Sequence, residues 1–311
     1  MPINSITFAT KFASELDKVL TQKSQAAMLE DSKFGARFVG ARTVSIPEAD
    51  FVGLGDYNRD SGFPNGAVSV SHKTYTLSQD RGRTFSIDRE DMDETGVVSL
   101  AGQVMSEFVR TKVAPEIDAY TFSKLYGVAT DTTGGRTAHK VSLPTGKTLT
   151  EKVYTLITDI LDKVENETGY NDEEILLYVD PTVYKALMAT EELDRYIRTD
   201  EFKKGEITTK VQRINNAIVI PVSAARMKTA YTFDKGATAS AGGFEADSNA
   251  SSIGIIALPK SAAKLVKKSE KIRVFSPDVN QKADAYKFDY RLYYDVFVKD
   301  SQKNTIWIYS Y

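Results

Sequence analysis

The sequence predicts an α+β fold built around one long helix, and three patterns carry that prediction. Apolar residues recur at three- and four-residue steps in the stretch from Thr84 to Tyr126, which is the spacing of one helical face. Short apolar runs alternate with amphipathic helices between 148 and 258, as in a helix-covered sheet. The chain then closes on an alternation of Tyr and Phe with polar residues, the pattern of a strand with one buried face.

The long helix is predicted to begin after Asp88 and to continue through an interruption at Pro115. Asp88 can cap the first turn, where acidic residues also suit the helix dipole. Glu116, Ile117 and Asp118 follow Pro115 directly, so the proline is interpreted as a kink or as the start of a second helical segment. A helix of roughly 30 residues spans about 45 Å, and other elements must lie along it.

Two segments precede this helix, and neither is expected to form a core alone. Residues 4–33 place Phe8 and Phe12 at helical spacing, which indicates either a helix docked on its own core or an arm that binds a neighbouring subunit. Residues 40–88 contain two strand-like runs, 42–47 and 67–77, joined by a stretch rich in glycine. An isolated two-stranded ribbon is marginal in water, so this element must cover its own domain or reach another chain.

The second half of the chain predicts an α/β unit. Thr148 and Glu151 form a capping box at the start of an amphipathic helix, and Asp180 with Pro181 opens another. Wholly apolar runs predict buried strands over 175–179, 217–222 and 253–258. Residues 261–268 are interpreted as a short helix. The alternating strand over 286–298 is expected to turn and return over 305–311, as a hairpin that covers the long helix.

Composition narrows the classes of function. The 311 residues carry a net charge of −2 and include no cysteine. A dedicated nucleic-acid-binding protein usually shows a basic excess, which is missing here. Without cysteine there are no disulfides, thiolate nucleophiles or cysteine zinc sites. No apolar run approaches the roughly 18 residues of a membrane-spanning helix, and the N-terminus has no secretion signal pattern.

The residues that could carry chemistry are better explained by structural roles. An acidic cluster could bind Mg²⁺ or Ca²⁺, but it is interpreted as helix-start charge: Asp88, Glu90, Asp91, Asp93 and Glu94. His72 and His139 are the only histidines, and no catalytic or metal-site motif flanks either of them. The stripe of Tyr286, Tyr290 and Tyr294 could stack on a sugar, but core packing is favoured. No catalytic residue, metal or cofactor is therefore predicted.

The order of elements resembles the major capsid protein of tailed bacteriophages, the Hong Kong 97-like fold. Three stretches carry the resemblance: residues 73–88 entering the helix, residues 113–120 within it, and the closing Tyr/Phe strand. The resemblance implies an N-terminal arm (1–36), an extended hairpin loop (37–88), a peripheral domain with a spine helix (89–147 and 268–311) and an inserted axial α/β domain (148–267).

The same resemblance implies a structural role rather than an enzymatic one. Pentamers and hexamers of one chain would tile an icosahedral head around packaged double-stranded DNA, with nonspecific DNA contact and no membrane. The head would assemble in the host cytoplasm and persist in the virion. Because the hairpin loop begins near residue 40, a separate scaffolding protein is expected, together with a portal. Two alternatives stay open: an encapsulin-like nanocompartment shell, and a hydrolase or binding domain on an α/β scaffold.

Seven residues are predicted to contact a neighbouring subunit. The arm supplies Phe8 and Phe12, and the hairpin loop supplies Lys73. Arg81 and Arg83 are expected to pair with carboxylates, some of them across a subunit contact. Asp88 and Glu90 are the acidic residues at the start of the spine helix.

Overall fold

The structure is a computed structural model, and it describes twelve stretches of the chain: 19–20, 23–30, 37–40, 42–60, 62–90, 104–143, 148–169, 173–189, 197–204, 207–238, 241–269 and 273–311. The strands β1 to β16 are numbered in chain order. Among the described helices, none is long and apolar enough to cross a membrane.

A long helix, the spine helix, runs from 104 to 130. It is α-helical over 104–108, π-helical over Val109–Val113, and α-helical again over Ala114–Thr130 (α1). The amide of Ala114 donates to the carbonyl of Val109, one residue further back than in an α-helix. This wider turn lies directly before Pro115, whose ring crowds the preceding turn and which has no amide proton to donate. The predicted interruption is thus a π turn within a continuous helix.

One face of the spine helix packs against an antiparallel sheet. Its central strand is β15 (Ala285–Val298), which pairs along one edge with β4 (Gln79–Asp88) and along the other with β13 (Ala263–Ser269) and β14 (Arg273–Phe275). Alternate residues of β15 are buried in the cluster that contains the helix: Phe288, Tyr290, Leu292, Tyr294, Val296 and Val298. The predicted closing strand is confirmed, and Tyr290 and Tyr294 pack in the core.

The opposite face packs against a seven-stranded sheet in the order β5-β16-β12-β6-β9-β8-β7. Its strands are β5 (Lys140–Val141), β6 (Ile175–Val179), β7 (Ile197–Lys204), β8 (Ile207–Ile214), β9 (Ala217–Pro221), β12 (Ile253–Pro259) and β16 (Trp307–Ser310). In β6, Leu176 and Tyr178 belong to the cluster of the spine helix, whereas Ile175, Leu177 and Val179 belong to a second cluster. Both faces of the strand are buried, which explains why its sequence is wholly apolar.

Two helices cover the outer face of this sheet, α2 (Leu149–Thr168) and α3 (Pro181–Met188). The carboxylate of Glu151 accepts from the amide and the hydroxyl of Thr148, both at 2.9 Å. Asp180 Oδ1 accepts from the amide of Val183 at 2.8 Å. Both predicted caps and the three predicted buried strands are confirmed.

Two predictions for the end of the chain are wrong. Residues 261–268 do not form a helix, because β13 pairs with β15 over its full length and that pairing overrides the weak local preference. Nor does the last segment return along β15, since both edges of β15 are already occupied. Instead, β16 pairs with β12 and β5, where Ile306 and Ile308 are fully buried. The division into domains stays a prediction.

Two further hairpins complete the described chain. A ribbon is formed by β2 (Thr43–Phe51) and β3 (Val68–Thr76), and β1 (Arg37–Phe38) pairs with the first residues of β2. These strands match the two predicted over 42–47 and 67–77. A shorter hairpin of β10 (Tyr231–Asp234) and β11 (Gly243–Ala246) lies against the spine helix, where the rings of Phe233 and Tyr120 are 5.8 Å apart.

Candidate assembly interface

The ribbon is packed against the rest of the chain at its base. Val44, Ile46 and Leu77 are at most 1% exposed. They join one apolar cluster with residues of the neighbouring sheet: Val266, Tyr293 and Phe297. Tyr293 and Phe297 alternate with the residues of β15 that face the spine helix, so the ribbon base covers the opposite face of that sheet.

Beyond its base the ribbon exposes apolar side chains. Residues 68–74 of β3 are exposed, with Val68 at 63% and Val70 at 65%. Because side chains alternate along a strand, these two valines share a face with His72, and the serines between them lie on the other face. No described residue covers the valine face, so the ribbon exposes these apolar side chains to solvent.

The tip of the ribbon is a tight turn that presents two aromatic rings. The amide of Gly62 donates to the carbonyl of Asn58 at 2.7 Å, and the Asn58 side chain accepts from the amide of Asp60 at 2.8 Å. Gly62 has a φ of 79°, which glycine adopts without strain. The rings of Tyr57 and Phe63 lie 4.9 Å apart and are 59% and 84% exposed.

Lys73, on the polar face of the ribbon, forms an ion pair with Asp300 of its own chain. Asp300 also pairs with Lys303 at 2.6 Å, and hydrogen bonds from Lys303 and Lys73 lower the pKa of Asp300. The bond to Asp300 raises the pKa of Lys73. Exposed pairs of this kind contribute little stability. A contact between Lys73 and a neighbouring subunit stays a prediction.

Arg81 makes four hydrogen bonds within its own chain. Its guanidinium donates to both carboxylate oxygens of Glu116 in the spine helix, at 2.7 and 3.2 Å. It also donates to the carbonyls of Asp234 at 2.6 Å and Gly243 at 3.0 Å, which are paired residues at one end of the β10–β11 hairpin. The predicted carboxylate partner exists, and it lies in the same chain.

The partners of Glu116 explain why the carboxylate can be buried there. Glu116 also accepts from the hydroxyl of Tyr294 at 3.1 Å. Burial and the charge of Glu116 raise the pKa of Tyr294, so this hydroxyl stays protonated and remains a donor. Arg81, Glu116 and Tyr294 therefore join β4, the spine helix and β15 through a buried network whose charges are paired.

The other predicted contact residues are placed differently. Arg83 donates to the carbonyl of Ala241 at 2.6 Å, in the loop of the β10–β11 hairpin. Asp88 ends β4, and its side chain accepts from the amide of Glu90 at 3.0 Å, so it caps the helical turn at 89–90. Residues 91–103, through which the predicted helix would continue from this cap, lie outside the described residues. Asp88 and Glu90 are exposed. The predictions for Phe8 and Phe12, like those for Asp91, Asp93 and Glu94, lie outside the described residues.

A buried carboxylate that the sequence did not single out joins three distant segments. Asp118, on the spine helix, is fully buried. It accepts from the Ser24 hydroxyl at 2.6 Å, from the amides of Gln25 and Ala26 at 3.1 and 3.0 Å, and from the Arg226 guanidinium at 2.9 Å. Burial raises the pKa of Asp118, and these donors oppose that shift. Asp118 thus fixes the arm residues 24–26 on the spine helix.

A second buried carboxylate lies at the root of the ribbon. Asp295 is 1% exposed and accepts from the amide of Ser78 at 3.1 Å and from the hydroxyl of Tyr120 at 2.9 Å. Lys124 also bonds to this carboxylate. Because Ser78 links the ribbon to β4, the contact fixes the point where the ribbon leaves the sheet.

The histidines take no part in a shared site. His139 is 7% exposed and stacks on Trp307 with the ring centroids 4.5 Å apart, whereas His72 lies exposed on the ribbon. Within the described stretches, no group of three or more His, Asp or Glu side chains is arranged to hold a metal ion. Instead, β2 and β3 form a ribbon that is held at its base by apolar packing and by hydrogen bonds to a buried carboxylate. Beyond the base, the ribbon exposes apolar side chains.

Solved capsid structures share this architecture. The capsid structure of the cyanophage P-SCSP1u has a TM-score of 0.59 at 13% identity, over 91% of this chain and 86% of that one. The mature capsid of bacteriophage PhiM1 has a TM-score of 0.53 at 11% identity, over 87% and 82% of the two chains.

A virus-like particle from Pyrococcus furiosus is also similar, with a TM-score of 0.51 at 8% identity, over 96% of this chain and 98% of that one. No protein-family model and no curated protein sequence matches the chain. The likeness is therefore one of fold, and it spans nearly the whole chain. The protein has the Hong Kong 97-like fold of tailed-bacteriophage major capsid proteins.

Proposed function

We propose that this chain is the major capsid subunit of a tailed bacteriophage, assembling into the pentamers and hexamers of an icosahedral head around double-stranded DNA. The observation that carries the proposal is the ribbon, which is anchored at its base and apolar but uncovered beyond it. Monomeric proteins rarely expose contiguous apolar surface of this kind without a partner. On a subunit with a capsid fold, the partner that fits is another copy.

The remaining properties agree with a shell subunit that is not an enzyme. The net charge of −2 suits a wall that touches packaged DNA without binding it tightly, since strong phosphate binding would hinder packing and release. A separate scaffolding protein and a portal are the further partners we propose. Assembly would take place in the host cytoplasm, and the product would be the shell of the virion.

Electron microscopy of the purified protein, alone and after co-expression with the scaffolding protein encoded near it, tests the proposal. Closed icosahedral shells are the expected result. A protein that remains monomeric under both conditions would refute it.

A second candidate is an encapsulin-like shell that encloses proteins instead of a genome. It is favoured by the likeness to the Pyrococcus furiosus particle, which covers almost all of both chains. Shells purified from the native source separate the two functions. Nuclease-protected genomic DNA supports the phage head, and a co-purifying protein cargo without such DNA supports the nanocompartment.

Replacing Val70 by glutamate should block shell assembly and leave the subunit folded. Val70 is 65% exposed in the free subunit, so its replacement removes little intrachain packing, but a charge buried at a subunit contact is costly. The matched control is Val279→Glu, because Val279 is 62% exposed and lies in the loop between β14 and β15, outside the ribbon strands. Sedimentation should show shells for the control only. Equal shell yields from both variants would contradict the role of this face.

A further inference from the structure

A large open cleft lies between β4, the π turn of the spine helix and the β10–β11 hairpin, with a volume of about 770 Å³. Three aromatic rings form part of its lining. The rings of Phe85 and Phe108 are 4.8 Å apart, and those of Phe108 and Tyr290 are 5.8 Å apart, both edge to face. Phe85 and Phe108 are only half-buried, so a further aromatic group can extend the cluster.

Two exposed lysines are among the charged groups that line the cleft. Lys112 and Lys235 are exposed and make no ion pair within the described part of the chain. Two of the four lining acids are paired with arginines, Glu116 with Arg81 and Asp80 with Arg291. The other two, Asp234 and Glu245, keep their negative charge at the lining, so Lys112 and Lys235 are the groups through which the cleft can attract an acidic ligand. A ligand with apolar rings and negative charge beside them fits this cleft.

The ribbon tip has that chemistry. Tyr57 and Phe63 present adjacent rings, and Asp56 and Asp60 lie beside them in sequence, all of them exposed. The hydrogen bonds across the turn restrict the conformation of the tip, and such restriction lowers the entropy lost on binding. Volumes of 300–1,000 Å³ are typical of pockets that enclose compact ligands.

We propose that the ribbon tip of one copy inserts Tyr57 and Phe63 into this cleft on a second copy, with Asp56 and Asp60 facing Lys112 and Lys235. The inference rests on the proposed function and names the receiving site on the neighbour. A projection that fits a pocket elsewhere on the same molecule makes a head-to-tail contact, and such contacts close into rings when the rotation allows.

Cysteine crosslinking tests the contact directly, because the chain has no cysteine of its own. The double variant Phe63→Cys/Thr111→Cys places one thiol at the tip and one at the cleft lining. Mild oxidation of assembled shells should give a ladder of covalent oligomers on a non-reducing gel. The control Phe63→Cys/Val279→Cys should give no ladder. Ladders of equal strength from both variants, a ladder from the control alone, or no ladder from either would overturn the proposal.

A charge exchange provides an independent test in solution. Asp56→Lys/Asp60→Lys and Lys112→Glu/Lys235→Glu should each reduce shell yield at least tenfold, and the combination of all four changes should restore most of it. Circular dichroism should report folded subunits throughout, since every changed residue is exposed. No recovery in the combined variant, or wild-type yield from either charge pair, would refute the contact.

These outcomes separate the two proposals. If the wild-type protein forms shells but the tip and cleft variants behave like their controls, only the cleft contact fails. If the wild-type protein never forms shells, the proposed function fails, and the cleft contact fails with it.

Discussion

Replacing Asp118 by alanine is expected to destabilise the unassembled subunit by about 3–5 kcal/mol. The change removes a carboxylate that is fully buried and strands its donors, the Ser24 hydroxyl, two backbone amides and the Arg226 guanidinium. A buried donor without an acceptor has lost the hydrogen bond that water provides in the unfolded chain, and no protein group replaces that bond. Urea denaturation followed by circular dichroism measures the loss.

Two controls show whether the loss comes from this network. Asp118→Asn keeps the volume and one acceptor oxygen, but its NH2 group faces two of the four donors, so it should recover only part of the loss seen with alanine. Asp284→Ala removes a carboxylate that is 71% exposed, 3.8 Å from Arg89, and should leave the free energy of unfolding nearly unchanged. Hydrogen exchange should also quicken at residues 24–29 in the alanine variant. A loss below about 1 kcal/mol would show that the network contributes little.

Replacing Arg81 by alanine is expected to cost about 2–3 kcal/mol. The change leaves the Glu116 side chain, which is 11% exposed, without its cationic partner. Arg81 itself is 23% exposed, so water can partly replace it and the loss falls below that of a fully buried pair. The β10–β11 hairpin also loses the donor that binds both its terminal carbonyls, so amide exchange should quicken over 231–246.

A double-mutant cycle isolates the charge pair. Glu116→Gln added to Arg81→Ala removes the buried negative charge and should recover part of the lost stability. Arg83→Ala, whose guanidinium bonds to a loop carbonyl at Ala241, should be less destabilising than Arg81→Ala. Additive effects of the Arg81 and Glu116 changes would contradict the pairing.

Elements defined by their own local pattern could be predicted from the sequence. The strand β6 is a continuous apolar run, β15 alternates, and the start of α2 carries a capping box. Each of these signals lies within the element itself. The two wrong predictions concern which strands pair with each other. The segment 263–269 is a strand because it pairs with one edge of β15. The last segment pairs elsewhere because both edges of β15 are occupied.

In the candidate interface, too, local features could be predicted from the sequence, whereas contacts between distant segments could not. The ribbon was predicted because its strands and glycine-rich tip are local features, and Arg81 was expected to meet a carboxylate. The sequence does not show that this carboxylate is Glu116. Nor does it show that Asp118 accepts from residues 24–26 and 226. Both facts depend on contacts between distant segments. The cleft is likewise invisible in the sequence, because three separated elements line it.

The π turn of the spine helix has a consequence for the phase of the helix. An extra residue in one turn rotates everything beyond it by roughly 100° about the axis. The apolar positions before Val109 and after Val113 therefore follow two different helical phases, and each half can face the sheets that lie beside it. Deleting one residue between 109 and 113 would restore a regular α-helix and turn Met105, now 1% exposed, away from the core. The number of residues in this turn is therefore fixed by packing, because it decides which side chains of the helix face the core.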